Sequence, residues 1–145
     1  MKLTGPEGVF ELNILDYEYS DSPFFLDRNW LIVSLRTRHN GRECVRTAPL
    51  LSTWEIELLL KWMRSVASER ELSPKLTFIE PGLGFNNVSR HNNQYTLRIK
   101  LSNEAQPNWH ADNTPFWMPV TPDHDELEHA IGDLENQLRQ FPVRN

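Results

Sequence analysis

The side chains best suited to chemistry lie in two stretches, His124-Asp125 with Glu128-His129, and Trp109-His110 with Asp112. Imidazole beside carboxylate is the composition of a metal site or of an acid–base pair. A helical two-histidine zinc pair is spaced i, i+4. These histidines are five apart, so their side chains diverge by roughly 140° at 3.6 residues per turn. Asp125 and His129 share a face, as do His124 and Glu128, but two ligands make a weak site, and a solvated helix surface fits better. His110 and Asp112, with His91 in another loop, have the types needed for general acid–base catalysis. No nucleophile motif accompanies them, and Ser89 and Ser102 have no distinctive context. Trp109 and Trp117 could offer a flat face to a sugar or a peptide, the alternative reading of this chain as a small ligand-binding module. Gly82-Leu83-Gly84 reads as a turn between strands and not as a phosphate loop, because no helix start follows it. Cys44 is the only cysteine, which excludes an intramolecular disulfide and every multi-cysteine metal site. Its strand context makes it a small packing residue. Neither a cofactor nor a metal is called for, and the expectation is a binding protein, not an enzyme.

The elements that would position these residues are legible from periodicity. The 145 residues suffice for one domain, 1–145, with a real core. Phe10, Leu12 and Ile14 alternate with polar residues, then the phase slips and Leu15, Tyr17 and Tyr19 carry the alternation, which predicts a strand with a bulge near Ile14–Leu15. After a loop with Ser22-Pro23, Trp30–Arg38 reads as a strand with Leu31, Val33 and Leu35 on one face. Asn40-Gly41 is a hairpin signal. A two-residue turn would set Arg36 opposite Val45, whereas one residue more pairs Thr37 with Val45 and Leu35 with Thr47. The second matches faces better and predicts the longer loop.

Ser52-Thr53-Trp54-Glu55 has the form of a capping box and starts a helix to about Glu69. Trp54, Leu58, Trp62 and Val66 form one stripe, and Ile56, Leu59, Leu60 and Met63 widen it, predicting burial on most sides. Trp30, Trp54 and Trp62 are the expected buried tryptophans. Leu76–Glu80 and Leu83–Val88 read as short strands around Pro81-Gly82, and Tyr95–Leu101 alternates as a half-solvated antiparallel strand. Asn103–Thr114 is loop-like, and Pro119 demotes the strand Phe116–Val120 to an edge. Thr121 and Pro122 look like the N-cap and first residue of a last helix, with Leu127, Ala130, Ile131, Leu134, Leu138 and Phe141 as its stripe and Pro142 as its stop. The fold class is α+β: a mainly antiparallel sheet of about six or seven strands with two helices packed on it.

Charge is unevenly spread within the net of −5. Glu7 to Asp27 carries six acids and no base; Thr121 to Asn145 carries six acids against Arg139 and Arg144; Arg28 to Gln106 carries twelve bases against seven acids. Solvated faces account for this, and acids in the first turn of the last helix also favour its dipole. The sharper reading is an acidic surface that meets a basic partner, steering its approach. The acidic balance argues against nucleic-acid binding, although Arg36, Arg38, Arg42 and Arg46 in the hairpin keep a small-anion or RNA contact in view. The start MKLTGPEGVFEL lacks the apolar stretch of a signal peptide and no window approaches a transmembrane span, so the expectation is a cytoplasmic protein with no membrane partner.

Taken in order, LDYEY (Leu15–Tyr19), DRNWL (Asp27–Leu31), the capped TWE helix (Leu51–Met63), LTFIEPGLGF (Leu76–Phe85) and FPVR (Phe141–Arg144) are framework signatures. From about Phe10 to Arg144 the chain resembles the WapI family of bacterial immunity proteins, through the order and spacing of DRNWL, the capped TWE helix, LTFIEPGLGF and the terminal helix ending FPVR. The resemblance implies a small cytoplasmic protein that neutralises the C-terminal toxin domain of a large secreted polymorphic toxin in kin cells. In the best-known members that toxin resembles a tRNA-directed nuclease. The matched positions carry over a fold and not an interface. An acidic protein suits a nuclease's basic groove, and on that ground Asp16, Glu18, Asp21, Asp123, Asp125, Glu126 and Glu128 are the candidate toxin-binding residues.

Overall fold

The computed structural model describes residues 1–70 and 73–145. Two four-stranded antiparallel sheets share one core. The first has the order β1 (Lys2–Thr4), β2 (Gly8–Tyr17), β3 (Trp30–His39), β4 (Arg42–Ser52); the second has β5 (Lys75–Thr77), β6 (Leu83–His91), β7 (Gln94–Leu101), β8 (Phe116–Val120). Helices α1 (Phe25–Arg28), α2 (Thr53–Ala67) and α3 (His124–Gln140) complete it. The α+β class is as the pattern predicts. The strands number eight, the additional one being the three-residue β1, too short to show alternation, and they divide between two sheets that precede and follow α2 in the chain. Pro119 sits on an edge strand, as its missing N–H requires.

The bulge falls where the phase slips: Ile14 pairs with Val33 and Asp16 with Ile32, leaving Leu15 as the extra, exposed residue. The hairpin turn, by contrast, is the two-residue one, with His39 opposite Arg42 and Arg36 opposite Val45. Asn40 at φ 52° and Gly41 at φ 79° make the tight turn whose twist suits a hairpin. The longer loop is therefore corrected. The face mismatch is absorbed because Arg46, opposite Leu35, bonds through Nε to the Glu104 carbonyl at 3.3 Å, and Val45 stays exposed.

The capping box of α2 is present in both directions. Most of that helix is buried, but not along the expected stripe: Trp62 and Val66 are buried, Trp54 is half-buried and Leu58 is exposed. Trp30 is half-buried too, its indole N–H donating to the Pro49 carbonyl. The strand expected at Leu76–Glu80 is shorter, Lys75–Thr77. The last helix begins two residues later than Thr121-Pro122 predicts. Thr121 N–H donates to the Thr4 carbonyl and the Pro122 carbonyl accepts from Tyr95, so both residues prolong strand contacts and Asp123 becomes the N-cap, accepting from Glu126 N–H at 2.8 Å.

One aromatic ring marks where the layers meet. Phe85 of the second sheet lies edge-on to Phe10 of the first at 6.1 Å, and also contacts Trp62 of α2 and Phe78. Leu127, Ala130, Ile131 and Leu134 of α3 close the same core. Full burial of each large apolar side chain is worth about 1.5–3 kcal/mol.

Candidate functional site

The framework signatures converge on the first turn of α2. Asn29 of DRNWL is fully buried. Its Nδ2 donates to the carbonyls of Phe25 (2.9 Å) and Arg144 (2.8 Å), while its Oδ1 accepts from Thr53 Oγ1 (3.0 Å) and Arg144 N–H (2.6 Å). All four hydrogen-bonding positions of the amide are used. One side chain thus joins α1, the start of α2 and the FPVR segment. On the other side of that turn, buried Glu55 accepts from Ser52 N–H through Oε1 and from Ile79 N–H through Oε2 at 2.8 Å, drawing in LTFIEPGLGF. Tyr17 of LDYEY donates to the Pro142 carbonyl at 2.5 Å and packs edge-on against Phe141. Burial holds its phenol above the ordinary value, against the opposing pull of Arg144, whose guanidinium lies 4.7 Å from the ring centre.

The seven acidic candidates fall into two groups at opposite ends of α3. Contacts run along that helix from Thr4–Glu126 through Leu12–Gln137 to Tyr17–Pro142. Its 17 residues span about 25 Å at 1.5 Å per residue. Asp123, Asp125, Glu126 and Glu128 stand at its beginning; Asp16, Glu18 and Asp21 stand beyond its end. Two of the first group serve the fold. Asp123 caps α3, and Glu126 Oε1 accepts from Thr4 N–H at 2.9 Å and Thr4 Oγ1 at 2.5 Å. Asp125 and Glu128 are exposed, Glu128 lying 3.8 Å from His124 Nε2. In the second group, Asp16 and Asp21 are exposed and Glu18 half-buried, and the Glu18 carboxylate raises the Tyr19 phenol above its ordinary value.

The remaining candidates are placed apart or engaged locally. His124 Nδ1 lies 3.4 Å from the Tyr95 hydroxyl, and among the described residues no three metal-ligating side chains gather. His110 Nε2 contacts the Thr114 carbonyl, while Asp112 accepts from Thr114 N–H and Oγ1, bonds that hold its carboxyl below the ordinary range. These are staples of one loop. Trp109 stacks on His39 and meets Phe116 edge-on, whereas Trp117, the next residue along β8 and so on its other face, lies under Arg98. The two indoles form no common platform. Arg36 pairs with Glu43 at 2.6 Å and faces Glu11, in an open depression of about 260 Å³ that also borders Lys2 and Arg38. Opposite charges alternate there. Cys44 is buried, its sulfur accepting from Asn108 N–H. No helix among the described residues is long and apolar enough to cross a membrane.

Asn29 and Gln137 carry no local signal, because their roles depend on residues more than a hundred positions away. Phe24-Phe25-Leu26 does carry one, three consecutive apolar residues between Pro23 and Asp27.

The geometry so far defines a class: a mostly β, α+β protein with a tightly joined framework and, Glu55 apart, no buried carboxylate among the described residues. The comparison with known families is specific. Residues 2–142 match the immunity protein WapI-like family, and the chain belongs to it. Among curated proteins and among solved structures there was no match.

Proposed function

We propose that this protein neutralises a toxin by binding it, and that the partner is the C-terminal domain of its cognate secreted polymorphic toxin, a nuclease directed at tRNA. Membership of an immunity-protein family over residues 2–142 carries this reading. The work is done without catalysis, in the cytoplasm of kin cells, where the toxin would otherwise act. The acidic surface supports it: a nuclease presents a basic groove to RNA, and one of the two carboxylate groups, Asp16, Glu18 and Asp21 or Asp125 and Glu128, steers such a face and disfavours other partners.

The test is calorimetry against the C-terminal domain of the large secreted protein encoded beside this gene, at two salt concentrations, with co-expression to read protection. Nanomolar binding and rescued growth are expected, with affinity falling as salt rises. Tight, salt-insensitive binding would keep the function and remove the electrostatic part. No binding and no rescue would refute the reading.

A further inference from the structure

The joint built by Asn29 and Glu55 holds out an apolar shelf. Phe24, Phe25 and Leu26 are 68 %, 46 % and 62 % exposed. The last two belong to α1, a helix with no buried residue. Phe25 stacks on Trp54 with 6.0 Å between centroids and 10° between planes. Leu58, 47 % exposed, stands one turn further along the same face of α2. A four-residue helix is far too short to persist alone, so α1 stands because Asn29 fastens it from beneath. A buried, fully bonded amide is thus spent on displaying apolar side chains to water.

The magnitude sets this apart from scattered surface leucines. At about 150–250 Å² for a whole aromatic side chain, these exposures leave on the order of 400 Å² of apolar surface. That lies within the range for the largest patch on a monomer and is about half of the roughly 800 Å² that one partner contributes to a standard interface. Its charged chain neighbours are mostly acidic, with Asp21, Asp27 and Glu57 exposed against exposed Lys61 and half-buried Arg28. An apolar centre with a net acidic border is complementary to a basic face with an apolar anchor.

We infer that this shelf, at the N-terminal end of α2, is where the toxin docks, through a basic surface that seats an apolar side chain against Leu26, Trp54 and Leu58. The inference rests on the toxin-binding reading and chooses between the two acidic groups. Asp21, three residues before Phe24, steers the toxin, whereas Asp125 and Glu128 lie at the far end of α3 and stay outside the contact.

The experiment measures binding of the neighbour-encoded toxin domain to three forms of the full chain: unaltered, Leu26→Lys with Leu58→Lys, and Asp125→Lys with Glu128→Lys. Circular dichroism and thermal melts verify folding, and Phe24→Ser, whose side chain lies outside the hydrogen-bonded joint, is a milder shelf variant. The shelf pair should weaken binding by about 100-fold or more, Phe24→Ser by about 10-fold, and the α3 pair by less than about threefold. If the unaltered protein binds and the shelf variants bind equally well, the shelf is refuted while the toxin-binding function stands. If the unaltered protein does not bind, both fall. Sedimentation supplies a further outcome: a dimer of the unaltered chain that the shelf pair abolishes would give the shelf to a second copy and overturn the toxin as its occupant.

Discussion

Removing the amide of Asn29 should cost a large part of this protein's stability. Asn29→Ala deletes four hydrogen bonds from a side chain that water does not reach. Each is worth about 0.5–1.5 kcal/mol net, and partners left buried add a desolvation cost. The two bonds to Arg144 are discounted, since the last residues of the chain can turn to solvent. About 2–4 kcal/mol remains, a large share of the roughly 5–15 kcal/mol that holds a typical domain. At about 2–4 °C per kcal/mol for a chain near this size, the melting temperature should fall by roughly 5–15 °C. Urea unfolding followed by tryptophan fluorescence measures it, with Trp54 reporting on α1 through its stacked Phe25. Asn29→Asp should be no gentler at neutral pH. It turns two donors facing carbonyls into acceptors and buries a charge, so its carboxyl should be held above the ordinary range. Sign follows from that: the protonated form suits the fold, and the deficit should grow as pH rises through the raised value. A loss below about 1 kcal/mol for Asn29→Ala, with unchanged dependence on urea, would refute the view that one amide ties α1, α2 and the C-terminal segment together.

Other perturbations test other joints. Gln137 carries the β1 ladder past its end, accepting from Ile14 N–H at 2.7 Å and donating to the Leu12 carbonyl at 3.1 Å; Gln137→Leu should cost about 1–3 kcal/mol in urea unfolding and speed hydrogen exchange at Ile14. The Met1 ammonium bonds the Asp133 carboxylate and holds its carboxyl below the ordinary range. A lowered folded value means stability present above the unfolded value near 4 and lost as pH falls through the folded one. The gap between unaltered protein and Asp133→Asn should thus be constant from about pH 5 to 7 and close on acidification. Gly132 lies within α3 with nothing near the position a Cβ would take, so Gly132→Ala should raise stability by about 0.4–1 kcal/mol in the same unfolding assay.

What the sequence determined by itself was local. The capping box at Ser52 and Glu55 closes within three residues, the Asn40-Gly41 turn needs only its two positive φ values, and the bulge at Leu15 is written in the phase of a single strand. The stripe Leu127–Leu134 is likewise a property of one helix. Tertiary structure decided whatever depended on a partner distant in the chain. The tight turn imposed a hairpin register that mismatches faces, tolerated because Arg46 finds the Glu104 carbonyl, and the start of α3 was set by strand contacts that Thr121 and Pro122 make with Thr4 and Tyr95. Of seven acids alike in sequence, two became a cap and a clamp, and the rest were parted by the length of α3. Phe24, Phe25 and Leu26 have the composition of a core and stand largely in water, because the buried bonds of Asn29 fix α1 at the surface with Trp54 stacked on one ring. Periodicity shows which residues share a face, but which faces stay uncovered depends on the whole chain's packing.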